Sequence, residues 1–379
     1  MKKMMKTIMA ILVATVTIVQ GMIPSAASDG ARDTKKILMV ISGNGKDGGK
    51  TAPGYEFDEL SAAYLVFKNN GLDVDVASPQ GGKVAADPFD PKAPLNAQVL
   101  ADNVMMEKLE NSLSLASVKA VNYQAIFVVG GKGAMFDLHD NKNLQAVIRD
   151  IYMDKGIVSA VCHGPAALVN VQLPNGQYLV SGKRVNGFTN TEEKLFGKKW
   201  MKDFSFMLED KLIARGGRFQ SSPMMLSHMA KDGRLITGQN PMSTAKVAEE
   251  VVKSLGITPV AREKQQDELT LEFVYDVLRK GPVFAATYQD KKDQFNGGLI
   301  SMYGYYYAMG AEKVADHQAA ITLMSIPTET AKHPQLRLQL AKSWHKLGDS
   351  NQAKAVVSDI LAAKPDYKPA QDLMKALEE

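Results

Sequence analysis

Val158-Ser159-Ala160-Val161-Cys162-His163-Gly164-Pro165 is an apolar run that breaks into a Gly-Pro segment, and it reads as a buried strand feeding a helix. It holds the only cysteine of the 379 residues, with a histidine next to it. A thiol at the first turn of a helix meets unpaired backbone N–H groups and the positive end of the helix dipole, which favour thiolate and lower the cysteine pKa. Free cysteine also packs as a small hydrophobe. The surrounding chain has to decide between a nucleophile and a structural thiol.

Around that string, residues 37–41, 74–77, 126–129 and 157–161 form short apolar runs, and helical stretches at 59–70 and 144–153 lie among them. Such alternation implies a parallel sheet covered by helices on both faces. The pattern stops near residue 255. Residues 257–266 are polar, lack aromatics and read as a linker, and only helical periodicity follows. The expected organisation is an α/β domain over residues 36–256 and a helical domain over 267–379.

Residues 54–67, Ala77-Ser78-Pro79-Gln80-Gly81-Gly82, Gly130-Gly131-Lys132-Gly133-Ala134-Met135, Ala160 with the string that follows it, Gly187-Phe188-Thr189 and residues 232–241 form an ordered series. In that order they resemble the ThiJ/PfpI family, in the large-insert branch that includes glyoxalase III, protein deglycases and a holding chaperone. The resemblance implies a flavodoxin-like sandwich with Cys162 on a nucleophile elbow. Class I glutamine amidotransferases also carry an elbow cysteine, typically within Gly-x-Cys-x-Gly; Ala160-Val161-Cys162-His163-Gly164 departs from that pattern.

Nucleophilic chemistry on a carbonyl needs a thiolate, a proton carrier and a place for an oxyanion. The resemblance assigns the nucleophile to Cys162 and the facing carboxylic acid to Glu59, which stands five residues after Gly54 and eight before Phe67. A carboxyl group held against a thiol, and desolvated there, has its pKa raised toward the range useful for acid–base work. Glu56 and Asp58 lie beside it as ordinary acids of a helix N-terminus. The glycines of Gly130-Gly131-Lys132-Gly133 let backbone N–H groups approach a substrate oxygen, with Gly131 as the expected donor. Relatives commonly carry histidine where Lys132 stands, and an ammonium group there would further favour a thiolate. The resemblance also makes His163 the expected base or proton shuttle, oriented by a carboxylate that relatives carry a few residues after Gly187-Phe188-Thr189: the aligned position is Glu193, with Glu192 as the alternative. His139 and His228 fall in no motif. No metal-ligand spacing occurs, and the expected chemistry needs no cofactor.

The C-terminal region holds a repeat. Segments starting at Asn296 and Pro334 align Gly310 with Gly348, Ala315 with Ala353 and Pro327 with Pro365. This resembles the tetratricopeptide repeat, a helix hairpin of about 34 residues. The second unit places Leu340, Ala341, Trp344, Ala353, Val357 and Ile360 at packing positions, whereas the first has Tyr303 where a small residue is usual. Ala370, Leu373, Met374 and Leu377 follow the spacing of an amphipathic closing helix. Such repeats present binding surfaces, so residues 267–379 are expected to engage a protein partner rather than to join the active site.

Lys2, Lys3 and Lys6 precede an uncharged, largely apolar run at residues 7–19 and the small residues Ser25-Ala26-Ala27. That is the pattern of a secretory signal peptide over residues 1–27, cleaved near Ala27. The apolar run is short of the roughly 20 residues a membrane span needs, so a periplasmic or secreted protein that is not membrane-embedded is expected. Without residues 1–27 the balance of 45 basic to 41 acidic residues becomes 42 to 41. The near-neutral remainder offers no global attraction for nucleic acid. The resemblance implies an enzyme that acts on reactive dicarbonyls, or on proteins they have modified, without glutathione, and a homodimer. A cysteine peptidase or amidase on the same elbow and a non-catalytic holding chaperone are the other readings.

Overall fold

The computed structural model describes residues 35–327 and 333–379; the signal-peptide segment lies outside them. Seven strands form one sheet: β1 (Lys36–Val40), β2 (Asp73–Ser78), β3 (Leu113–Ser114), β4 (Ala125–Val128), β5 (Ile157–Val161), β8 (Met229–Asp232) and β9 (Leu235–Gly238). Two further short strands, β6 (Arg184–Val185) and β7 (Arg218–Phe219), pair only with each other. The main order is β3-β2-β1-β4-β5-β9-β8, parallel throughout except for the β8–β9 hairpin. Ile37, Leu38, Met39 and Val40 of β1 are all fully buried. A strand covered on both faces cannot alternate, which is why it reads as one apolar run.

The helices cover the sheet through apolar stripes. In Lys142–Met153 the buried residues Leu144, Val147, Ile148 and Ile151 recur at helical spacing, and the Asn141 side chain caps the start by accepting from Leu144 N–H at 3.0 Å. Phe57–Asn69 buries Leu60, Ala63 and Phe67, with Phe67 edge-on to Phe127 of β4 at 5.6 Å between ring centroids. That buried face also contains a carboxylic acid, Glu59.

Strand order reverses at β1, whose neighbours are β2 on one side and β4 on the other. The crevice beyond the carboxyl ends of strands at such a switch point is where ligands bind in open α/β sheets. Val128 of β4 pairs with Ala160 of β5. Two residues further along both chains, the same register brings Gly130 beside Cys162.

Residues 257–265 have no regular structure, in keeping with a connecting segment, yet they are tied down. Val260 N–H donates to Asn70 Oδ1 at 2.8 Å, and Arg262 bridges Glu249 at 2.8 Å and Glu268 at 2.6 Å. Beyond them lie Gln266–Lys280, the helix pairs Gly297–Met309 with Val314–Ser325 and Pro334–Lys346 with Ser350–Ala363, and the closing helix Lys368–Glu378. In the second pair Ala341 and Ala353 are fully buried. In the first, the close approach falls on Gly304 rather than Tyr303: a Cβ there would stand 2.9 Å from Leu323 Cβ.

The helical region is not separate from the α/β region. Met224 and Leu226, on a loop of the latter, share an apolar cluster with Leu271, Phe273, Val274, Ile300, Tyr303 and Leu323. Composition showed a polar connection, but it could not show this contact.

Candidate active site

Cys162 follows directly on β5 in a left-handed conformation, φ +58°. Such a backbone costs energy for a non-glycine residue and marks functional sites. Here it is held on both sides, because Cys162 N–H donates to Gly238 O at 2.9 Å and Cys162 O accepts from Phe188 N–H at 2.8 Å. The chain continues into a short 3₁₀ turn, Gly164–Leu168, and not into the expected α-helix.

Glu59 reaches Cys162 through Gly130. Gly130 N–H donates to Glu59 Oε2 at 2.7 Å. A Cβ on Gly130 would come within 2.5 Å of that oxygen and 2.6 Å of Cys162 Cβ, so only glycine allows the acid and the thiol to flank this point. Burial, then the neighbouring negative charge of Glu56, push the Glu59 carboxyl up to about 8, while the adjacent Cys162 thiol acts in the opposite direction. Glu56 itself is pushed up to about 7 by burial and by the charges of Asp58 and Asp87, against Lys132.

The expected depressed thiol pKa is not what the structure gives. Burial first, then the charge of Glu59, raise the Cys162 thiol well above its ordinary value; Lys132 only partly opposes them. The local string showed a helix start, but one 3₁₀ turn offers little dipole, and Cys162 is 4% exposed. A protonated Glu59 removes the repulsion between like charges, so ionisation of the two groups is coupled.

On the other side, Cys162 Sγ stands 3.4 Å from His163 Nδ1, and His163 Nε2 stands 2.7 Å from Glu193 Oε2. With Nε2–H donating to the carboxylate, Nδ1 is left as an acceptor for the thiol proton. The imidazole lies against Phe188, 4.5 Å between centroids, with Phe204 edge-on at 6.2 Å. Glu193 stands on the Asn190–Phe196 helix, whose N-cap is Thr189.

Glu192, the alternative partner, points elsewhere. Its Oε2 accepts from Thr189 N–H and Oγ1, both at 2.9 Å, and its Oε1 accepts from Met225 N–H at 2.6 Å, Asn240 Nδ2 at 2.9 Å and Gln239 Nε2 at 3.0 Å. Thr189-x-x-Glu192 is a capping box. That sequence signal assigns Glu192 to the cap and leaves its neighbour free.

Gly131 adopts φ +94°, and a Cβ would lie 2.5 Å from Glu56 N. Gly130 N–H is committed to Glu59 and Cys162 N–H to Gly238, so neither is available to a substrate oxygen in this arrangement. Lys132 is partly buried and makes its charge felt at Cys162, Glu56 and Asp87. Sequence reasoning missed Asp87, which accepts from Gly54 N–H at 2.7 Å, and Asp137, which accepts from Ser42 Oγ at 2.8 Å and Gly43 N–H at 2.7 Å. Both secure the loops around the crevice. The rings on His163 were missed too, although Phe188 lies in a quoted motif. His139 and His228 stay outside the cluster: His228 pairs with Ser222 at 2.9 Å, and His139 packs edge-on to Phe206.

Together these groups form a thiol with an acid on one side and an imidazole–carboxylate pair on the other, suited to adding sulfur to a carbonyl and moving protons around the adduct. Residues 50–254 match the family described as DJ-1/PfpI. The fission yeast protein named glutathione-independent glyoxalase hsp3101 (Schizosaccharomyces pombe) is 31% identical over 250 residues, covering 59% of this chain and 96% of the relative. The crystal structure of glyoxalase III from Candida albicans is 25% identical with a TM-score of 0.54, covering 58% of this chain and 97% of that one. The Rapid Encystment Protein 24 KDa of Francisella tularensis is 34% identical with a TM-score of 0.55, covering 59% and 99%.

Proposed function

The chain belongs to the DJ-1/PfpI family, and from that premise we propose that it is an exported, cysteine-dependent glyoxalase that converts 2-oxoaldehydes such as methylglyoxal to 2-hydroxy acids without glutathione. The observation that carries this reading is the placement of Cys162 between Glu59 and the His163–Glu193 pair. The names of the relatives support it. Export rests on residues 1–27.

Cys162 transfers its proton to His163 Nδ1, and the sulfur bonds to the aldehyde carbon. The resulting alkoxide takes that proton back, giving a hemithioacetal. His163 then removes the hydrogen on the sulfur-bearing carbon while Glu59, protonated at neutral pH, gives its proton to the ketone oxygen. This yields an enediol. His163 returns its proton to the adjacent carbon and the hydroxyl on the sulfur-bearing carbon gives its proton to Glu59, leaving a 2-hydroxy thioester. Water releases the acid and restores the thiol. No electrons enter or leave, because one carbon is oxidised as its neighbour is reduced.

Glu193 holds the imidazole in the tautomer this sequence needs. Gly131 N–H is the donor offered to the developing oxyanion, a contribution of roughly 3 to 4 kcal/mol in comparable sites. At an early hemiaminal adduct on a protein, the sulfur bonds to that carbon as its bond to the amine breaks and His163 gives the thiol proton to the departing nitrogen; the same hemithioacetal results, so deglycation falls within the same chemistry. The test is turnover of methylglyoxal without glutathione by the parent and by Cys162→Ser. Peptide hydrolysis, or client protection that survives Cys162→Ser, would favour the other readings.

A further inference from the structure

Glu193 and Glu192 occupy consecutive positions of one seven-residue helix, Asn190–Phe196. Its inner end is fixed by Glu192, which ties it to Met225, Gln239 and Asn240. Its outer face is covered by the C-terminal helices. Phe196 meets Tyr306 of the Gly297–Met309 helix edge-to-face, 4.9 Å between centroids at 63°. Leu195 packs against the same apolar cluster. At the end of the Tyr306 helix, a Cβ on Gly310 would stand 3.5 Å from Thr191 Cγ2 and 3.7 Å from Leu195 Cδ1, so the two elements are in direct contact.

A helix of two turns has little stiffness of its own, since most helical stability in proteins comes from packing of its apolar face. Its orientation therefore depends on what covers it. A carboxylate at 2.7 Å from Nε2 of His163 tolerates little rotation before the hydrogen bond is lost.

We propose that the C-terminal helical region is a positioning element of the active site, with Tyr306 as a positioning residue that acts through Phe196 on Glu193. This rests on the reading of Glu193 as the partner of a catalytic His163. It reverses the expectation that residues 267–379 stand apart from the chemistry. It also means that whatever binds or displaces these helices changes the pairing of His163.

A double-mutant cycle tests it, combining Tyr306→Ala with Glu193→Gln and reading methylglyoxal turnover. Because the chain has a single cysteine, alkylation by iodoacetamide followed by mass provides a second readout at Cys162 itself. Tyr306→Ala is expected to lower kcat about three- to tenfold with little change in KM, the scale of one aromatic pair. Tyr306→Phe, which keeps the ring, should restore the parent rate. In the Glu193→Gln background Tyr306→Ala should have no further effect, by turnover and by alkylation alike. Tyr306→Leu, which keeps apolar bulk for folding, should behave as Tyr306→Ala. Equal factors in both backgrounds, or a folded Tyr306→Ala with the parent kcat and alkylation rate, would overturn the proposal. Coupling seen by alkylation in a protein that does not turn over methylglyoxal would uphold it and reject the function proposed above.

Discussion

His163 Nε2 and Glu193 Oε2 stand 2.7 Å apart although 30 residues separate them in the chain. The thiol on the other side of the imidazole is 3.4 Å from Nδ1. His163 is therefore held between a carboxylate and a sulfur atom, and four predictions about this site and the helices packed on it can be measured.

The first concerns the thiol. Burial and Glu59 raise the Cys162 pKa, so alkylation by iodoacetamide should be slow at neutral pH and still accelerating above about pH 8.5, the ordinary thiol value. A rate plateau below pH 7 would show an activated thiolate and contradict this electrostatic picture.

Glu59→Gln should reduce kcat by about 10²- to 10⁴-fold, the usual loss for one positioned acid–base group. Its stability should move the other way. The Glu59 carboxyl titrates near 8 in the folded protein against 4.5 as the ordinary value, so between those pH values the folded state binds more protons and loses stability as pH rises. The amide removes that loss. Glu59→Gln should gain thermal stability over the parent at pH 8 relative to pH 5, and an equal difference at both pH values would show that Glu59 is not held protonated.

Glu56→Gln should be mild in kcat at neutral pH, since Glu56 acts on Glu59 only through its charge. Removing that charge lowers the Glu59 pKa. The loss of activity on the alkaline side, set near 8 by Glu59, should therefore shift to lower pH. A pH–rate profile that keeps its alkaline limb in place would show that Glu59 does not set it.

A chain ending at Leu255 should fold poorly. It would uncover Met224 and Leu226, now 6% and 1% exposed, and leave the Asn190–Phe196 helix without its outer layer. Light scattering and thermal unfolding of the truncated chain should show aggregation or a clear loss of stability; a soluble monomer with the parent midpoint would mean the shared cluster contributes nothing.

The parts of this fold that were legible in the sequence are those with strong local patterns. The runs at 37–41, 74–77, 126–129 and 157–161 correspond to β1, β2, β4 and β5 because strands buried on both faces leave uninterrupted apolar stretches. The β8–β9 hairpin was not identified as strands. Met229–Asp232 is an edge strand in which only Ala230 is buried, and its polar residues mask it. The hairpin turns on Gly233 at φ +60°. Glu59 was singled out by the resemblance, through the family's spacing from Gly54 and Phe67, but its pKa depends on burial, on Glu56 and on Cys162, which no local string displays. The resemblance pointed to a carboxylate partner for His163 and aligned it with Glu193, and the capping box at Thr189 removes Glu192 from consideration. Docking of the helices on Met224 and Leu226 is tertiary and left no periodic trace.

The most direct test of the central claim is the product formed when the chain without residues 1–27 meets methylglyoxal in the absence of glutathione and added metal. The account predicts lactate, formed catalytically by the parent and not by Cys162→Ser, with the variant still folded. Methylglyoxal left unchanged by the parent, or lactate formed equally fast by Cys162→Ser, would contradict it.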